Sequence, residues 1–198
     1  MADTKALKFI KAEPLTLNSN FESVTGANSN EQLGIACNGK MVAMQWQQMA
    51  SIAVFNAMKP RRFEANTPLI KGHQGTVSDL SWCPFDDRLL ASTADDGTCK
   101  LWIFNDDEGV TAVRTEADVE LDAAPRKCLG VQWHPIVNNV LATFSFDKAV
   151  KVWDVNSGEA VCTFTDNPEP CTNIMWSPDG KQLGTMVKNK TCAIYDPR

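Results

Sequence analysis

Three stretches of the chain repeat one pattern of apolar and polar positions. Each opens with a tryptophan, has a proline two residues later, continues through an apolar run and a turn, and ends in an alternating run with an aromatic residue. The first residues are Trp82, Trp133 and Trp176, and the closing aromatics follow after 20, 20 and 19 residues. Proline ends a strand because it cannot donate to a ladder, and alternation buries one strand face. The pattern therefore predicts repeated antiparallel β-strands.

The spacing of the repeats predicts the blades of an all-β propeller. The first tryptophans lie 51 and then 43 residues apart, and a period of about 40–45 residues is typical of four-stranded blades. Asp-Asp-Gly at 95–97 and Asp147-Lys148 have turn chemistry between strands. Weaker strand-like runs around the Asn38-Gly39 turn predict a divergent first blade. About four blades are expected, with these limits: N-terminal strand and entry segment 1–26, blade 1 27–68, blade 2 69–118, blade 3 119–165 and an incomplete blade 4 166–198.

The best-formed copy resembles the WD-repeat family. Gly72-His73 precedes it, Asp96 lies in its turn and Trp102 ends it. The resemblance implies a structural network of His73, Ser92, Asp96 and Trp102 inside the blade, which agrees with the need of buried polar groups for partners. The next copy keeps Asp147 and Trp153 but has Ala124-Pro125 in place of Gly-His, and the last has Asn189 and Tyr195. We expect less extensive networks in these two blades.

From Lys8 onward the chain resembles the coronins, actin-associated propellers with seven blades. The resemblance is carried by Lys8-Phe9, by Trp133-His134-Pro135 and, most specifically, by Lys188-Asn189-Lys190 followed by Asp196-Pro197-Arg198. Pro84-Phe85-Asp86-Asp87 favours the long tandem coronins or villidin-like proteins. The family implies actin as partner and the N-terminal part of a seven-blade ring, completed beyond Arg198.

Two charged segments indicate where a partner protein would make contact. Coronins carry basic residues after the N-terminal Lys-Phe, whereas residues 12–25 contain none. The substitute is Lys59, Arg61 and Arg62, a basic group on a loop that leaves blade 1, and we predict that it faces an acidic partner. The acidic stretch 105–122 is expected to hold an outer strand and a long exposed loop.

Composition excludes several classes of function. The net charge of −5 and a pI near 5.0 argue against nucleic acid as partner. Seven cysteines without a Cys-x-x-Cys pair indicate buried thiols in a reducing compartment and no structural zinc. There is no phosphate-binding glycine motif, so no cofactor is expected. The lack of a signal-like or membrane-spanning apolar run predicts a cytoplasmic, cytoskeletal protein.

The sequence therefore predicts a filament-binding scaffold of the coronin type. The alternative is a generic WD-repeat scaffold in a trafficking or ubiquitin-ligase complex. A third class, an enzyme with Ser92 as nucleophile beside His73 and Asp96, is disfavoured because the other copies lose the histidine. His134 is predicted to be a turn residue before Pro135.

Overall fold

The computed structural model describes residues 34–46, 50–59, 62–64 and 66–198. Within them the regular structure consists of strands. These are β1 (Ile35–Cys37), β2 (Met41–Gln45), β3 (Ile52–Asn56), β4 (Val77–Trp82), β5 (Leu89–Ala94), β6 (Thr98–Ile103), β7 (Val119–Asp122), β8 (Cys128–Trp133), β9 (Val140–Ser145), β10 (Val150–Asp154), β11 (Glu159–Phe164), β12 (Cys171–Trp176), β13 (Leu183–Val187) and β14 (Cys192–Tyr195).

The strands form four antiparallel meanders that follow one another along the chain. Blade 1 is β1-β2-β3, blade 2 is β4-β5-β6-β7, blade 3 is β8-β9-β10-β11 and blade 4 is β12-β13-β14. Because β7 pairs with β6, with Leu101 opposite Val119, residues 119–122 lie in blade 2. The boundary expected between 118 and 119 therefore falls too early.

Left-handed residues close the same hairpin in three blades. Gly97 (φ 84°), Lys148 (φ 73°) and Lys190 (φ 67°) lie in the turns before β6, β10 and β14. At Gly97 the space also excludes a side chain, since a Cβ there would lie 2.3 Å from the carbonyl oxygen of Ala124. Glycine adopts this conformation without strain, whereas lysine does so at a cost. The turns expected at 95–97 and at Asp147-Lys148 are confirmed.

Apolar side chains fill the space between successive blades. The first strand of each blade packs against the first strand of the next. One buried cluster joins blades 1 and 2 around Ile52 and Leu90, a second joins blades 2 and 3 around Leu101 and Leu141, and a third joins blades 3 and 4 around Leu183. Burial of these faces is the main stabilising contribution, because it removes apolar surface from water.

A repeated tryptophan hydrogen bond accompanies each interface. The first tryptophan of a blade donates its indole N–H to a backbone oxygen in the preceding blade. The pairs are Trp82 to Ala36 (3.2 Å), Trp133 to Ser81 (3.0 Å) and Trp176 to Gln132 (3.4 Å). The three acceptors lie at equivalent positions on the first strand of their blades. Tryptophan therefore makes the same hydrogen bond at three successive interfaces.

Blade 4 has an apolar face that none of the described residues covers. Ile194 is 70% exposed, whereas its blade 2 equivalent, Leu101, is 0% exposed under blade 3. Met175 and Met186 lie on the same face and are also exposed. Cys192 in β14 lies on this uncovered face, and Cys37 in β1 is also exposed. The expectation of buried thiols is confirmed for Cys83, Cys99, Cys128 and Cys171.

Residues 105–114, between β6 and β7, cross from blade 2 to the edge of blade 1, and we call them the strap. Val110 is 3% exposed and donates its backbone N–H to the oxygen of Val54 at 3.0 Å. Gly109 forms an antiparallel bridge with Phe55, and Asn56 Nδ2 donates to the backbone oxygen of Asp107 at 2.8 Å. Most residues of the strap are exposed or half-buried, as expected of a long exposed loop, but Val110 is buried against blade 1. Among the described residues, no helix is long and apolar enough to cross a membrane.

Candidate functional site

The predicted network residues of blade 2 lie within hydrogen-bond distance of one another. His73 precedes β4, Asp96 lies in the β5–β6 turn, and Ser92 and Trp102 face each other from β5 and β6. His73 Nδ1 is 3.0 Å from Asp96 Oδ2, and His73 Nε2 is 2.7 Å from Ser92 Oγ. Trp102 Nε1 donates to Ser92 Oγ at 2.8 Å. The structure thus brings together all four residues expected in this blade.

The hydrogen bonds determine where the protons lie. Partial burial acts to raise the pKa of Asp96, but the hydrogen bonds from His73, Thr98 and the backbone of Gln74 outweigh it and hold the pKa well below its usual range. An ionised Asp96 only accepts, so His73 Nδ1 carries a proton and donates it. Ser92 Oγ accepts from Trp102, contacts His73 Nε2, and has the backbone oxygen of Lys100 at 3.4 Å as a further acceptor. Each of these polar groups is satisfied.

The order Asp96, His73, Ser92 resembles that of a hydrolase triad, but the surroundings differ. Ser92 is 0% exposed and the side chain of His73 is also 0% exposed. The Ser92 oxygen accepts from the indole of Trp102, whose ring is itself fully buried. A nucleophile must reach its substrate, and this hydroxyl lies inside the blade. The arrangement is suited to fixing β5, β6 and the segment before β4 to one another.

In blade 3 the corresponding residues form two separate contacts. Trp153 Nε1 donates to Thr143 Oγ1 at 2.9 Å. Asp147 instead accepts from the hydroxyl of Ser145 and the backbone N–H of Ala149. The structure therefore does not join Asp147 to Trp153, because no histidine lies between them.

Blade 4 contains a substitute that the sequence pattern did not reveal. Tyr195 donates its hydroxyl to Asn167 Oδ1 at 2.9 Å, and Asn167 Nδ2 donates to the backbone oxygen of Lys148 at 3.0 Å. Asn167 is 4% exposed and comes 22 residues before Asn189, close to the 23-residue separation of His73 and Asp96. That offset is the signal that could have identified it.

His134, predicted to be a turn residue, lies in a turn and also joins two blades. Its Nδ1 accepts the backbone N–H groups of Ile136 and Val137 at 3.1 and 2.8 Å, so the proton is on Nε2. That nitrogen donates to the backbone oxygen of Gly180 in blade 4 at 3.0 Å.

Asp79 is a buried carboxylate between blades 2 and 3 that the sequence did not single out. It accepts the backbone N–H groups of Leu80 and Val131, the second at 3.1 Å across the interface. Burial raises its pKa to about 6, although these two hydrogen bonds act in the opposite direction. The interface therefore contains one group that titrates near neutral pH.

The predicted basic group has one member with an internal partner. Lys59 forms an ion pair with Glu108 of the strap. Arg62 is exposed, and Arg61 lies outside the described residues, as does the segment 12–25. The charge of Lys59 is thus balanced within the chain.

Lys59 belongs to a larger set of alternating charges at the junction of blades 1 and 2, which we call the seam cluster. Lys40 Nζ lies 2.9 Å from Asp87 Oδ2, and Arg88 Nε lies 3.6 Å from Asp107 Oδ1. Asp87 raises the pKa of Lys40, Asp107 acts in the same sense and Arg88 opposes it, so these charges are close in space. The seam cluster comprises Lys40, Lys59, Asp87, Arg88, Asp107 and Glu108.

Comparison with known proteins agrees with this architecture. Residues 66–102 match the family model described as "WD domain, G-beta repeat". Coronin-7 of Rattus norvegicus is 30% identical over 197 residues, covering 96% of this chain and 21% of that protein. The coronin-like protein of Saccharomyces cerevisiae is 30% identical over 171 residues, covering 81% and 26%. The chain thus spans about a fifth to a quarter of these relatives.

The fold comparison reaches the same family. The crystal structure of the WD40 domain of Toxoplasma gondii coronin superposes with a TM-score of 0.82 and 25% identity, covering 94% of this chain and 50% of that one. The likeness extends well beyond the matched repeat, and the expected resemblance is confirmed. The chain is therefore a homologue of the coronins, folded as consecutive blades of a WD-repeat propeller.

Proposed function

We propose that this chain is part of a coronin-type scaffold that binds actin filaments and catalyses no reaction. The observation that carries the proposal is the extent of the relationship, since similarity to coronins covers 96% of the chain for the rat protein and is not confined to the WD motif. Coronins are actin-associated, and the same role is assigned here. The comparisons give no sign of the trafficking or ubiquitin-ligase alternative.

The packing supports a rigid platform. Three apolar interfaces, three tryptophan hydrogen bonds and the network around His73 hold the blades together. Side chains on the loops between strands remain available to a partner, and recognition by loops on a rigid sheet scaffold is common. The Ser92-His73-Asp96 arrangement lies inside blade 2 with its serine 0% exposed, which supports a role in stability.

Charge determines where an acidic filament makes contact. The chain has a net charge of −5, so attraction to an acidic protein depends on local basic groups. Lys59, Arg61 and Arg62 remain the candidate contact. Exposed charges of this kind mainly set the association rate and its salt dependence. We therefore expect weak, salt-sensitive binding by a cytoplasmic protein of the cytoskeleton.

Co-sedimentation with actin filaments tests the proposal on the full-length protein. Reversal of the basic group (Lys59→Glu, Arg61→Glu, Arg62→Glu) should weaken binding at low salt roughly three- to tenfold. A matched control reverses Arg126, Lys188 and Lys190, three cations on blades 2 and 4, and should bind like the unaltered protein. Absence of filament binding by the unaltered protein at low salt would refute the proposed function.

A further inference from the structure

The strap places two carboxylates against cations that come from separate parts of the chain. Lys40 follows β1, Lys59 follows β3 and Arg88 precedes β5. Asp107 and Glu108 are consecutive strap residues that face Arg88 and Lys59. Three cations from three loops thus converge on one junction, and the strap supplies acidic groups to two of them.

The strap is anchored without these two carboxylates. Its contacts with blade 1 are the Val110 N–H to Val54, the Gly109 bridge to Phe55 and the amide of Asn56 to the backbone of Asp107. All of them use strap backbone atoms, and the buried Val110 side chain fixes the position. The Asp107 and Glu108 side chains can therefore turn away while the strap stays in place.

Neither carboxylate is strongly held. The Glu108 side chain is 49% exposed and that of Lys59 is 62% exposed, and ion pairs between such groups are weak. Asp107 Oδ1 is buried, has no hydrogen-bond partner among the described residues, and lies 3.6 Å from Arg88 Nε. A carboxylate in that position leaves the guanidinium with unused donors.

We propose that Lys40, Lys59 and Arg88 form a binding surface for the carboxylates of an acidic partner protein, and that Asp107 and Glu108 occupy it in the free protein as an intramolecular competitor. An incoming acidic segment replaces the strap carboxylates at Lys59 and Arg88, whereas Lys40 beside them stays paired with Asp87. The competition lowers the apparent affinity at low salt, and this effect fades as salt screens both the internal and the external pairs. The identity of the partner as an actin filament rests on the proposed function; the surface itself does not.

Fluorescent poly-L-glutamate is the probe for the surface, measured by anisotropy with the full-length protein. Asp107→Asn with Glu108→Gln removes the competitor and should tighten binding about two- to tenfold at low salt, with the difference lost near about 1 M salt. Lys40→Glu with Lys59→Glu and Arg88→Glu should weaken binding at least as much. The control reversal of Arg126, Lys188 and Lys190 changes the net charge equally and should bind clearly more tightly than that variant.

Two results would overturn the inference. One is unchanged or weaker binding after neutralisation of Asp107 and Glu108; the other is equal binding by the seam and control reversals. If the seam reversal fails to fold, replacement of the same three cations by glutamine takes its place, with the same expected direction. The strap variant removes no buried anchor and serves as the independent measurement.

The same variants on actin filaments separate this inference from the proposed function. Tighter binding of poly-L-glutamate by the strap variant, with no filament binding by any variant, supports the surface and refutes the filament as partner. Filament binding that no seam or strap substitution alters supports the proposed function and places its contact elsewhere. In that case the poly-L-glutamate result alone decides whether Lys40, Lys59 and Arg88 form the proposed binding surface.

Discussion

Replacement of Asp96 by alanine removes the acceptor of four hydrogen bonds in blade 2. The donors are His73 Nδ1, the hydroxyl and backbone N–H of Thr98, and the backbone N–H of Gln74. The side chain of His73 is 0% exposed and that of Asp96 is 11% exposed, so the lost partner is one in a largely buried position. A buried unsatisfied donor costs about 1–3 kcal/mol, and hydrogen bonds to charged groups are at the upper end. We expect a loss of about 2–4 kcal/mol in the free energy of unfolding.

Asp147→Ala in blade 3 is the matched comparison. Asp147 accepts from Ser145 and from the backbone of Ala149, and the Ser145 hydroxyl has a second acceptor in the oxygen of Ala149 at 3.2 Å. Because this substitution leaves no buried histidine without its partner, the loss in the free energy of unfolding should be about 1 kcal/mol. Asp96→Asn keeps the shape but not the charge and should lie between the two.

Thermal unfolding of the full-length protein by calorimetry measures these differences. The larger loss in the free energy of unfolding should appear as the larger fall in Tm, so Asp96→Ala should melt at a lower temperature than Asp147→Ala. Equal shifts for Asp96→Ala and Asp147→Ala would refute the reasoning, because it attributes the difference to the buried imidazole.

Two further substitutions test the interfaces between blades. Asp79→Asn should remove a pH dependence: burial raises the Asp79 pKa to about 6 from 3.8, so its stabilising contribution is present below about pH 4 and lost as pH rises through about 6. The variant should gain roughly 3 kcal/mol over the unaltered protein at about pH 8 and little at about pH 4; parallel Tm curves over this range would contradict the assignment. Gly109→Ala places a Cβ 2.3 Å from the oxygen of Val54 at φ 86°, whereas Gly158→Ala meets nothing within 4 Å at φ 71°. The first should lower Tm by the equivalent of about 2–4 kcal/mol and the second by about 1 kcal/mol, and similar losses would show that the strap is not tightly packed.

The sequence predicted features that depend on residues close together in the chain. The alternation through Leu101 and Trp102 identified a strand, and Asp96-Gly97 identified its turn. The expectation of one buried face is wrong for this strand, because Leu101 packs at the interface with blade 3 and Trp102 at the interface with blade 1, and both are 0% exposed. The partners of His73 could be named because this copy resembles the WD repeat, and the resemblance implies them. Asn167 was missed because an asparagine in a loop has no periodicity, and only its offset from Asn189 links it to the network.

The strap and the seam cluster could not be predicted by the same reasoning. The path of a long connection depends on which edge it meets, and the sequence does not distinguish the buried Val110 from the exposed Val113. Lys40, Lys59 and Arg88 are separated by 19 and 29 residues, so their proximity follows from blade packing. The basic run at 59–62 was visible in the sequence, but its internal carboxylate partner was not.

Carbodiimide cross-linking with mass spectrometry tests the central claim most directly, because this reagent joins only lysines and carboxylates in contact. In the free full-length protein it should link Lys59 to Glu108, which form an ion pair. With actin filaments added, the account predicts that this link declines while Lys59 or Lys40 becomes joined to filament carboxylates. An undiminished Lys59–Glu108 link, with filament cross-links only at other lysines, would contradict it.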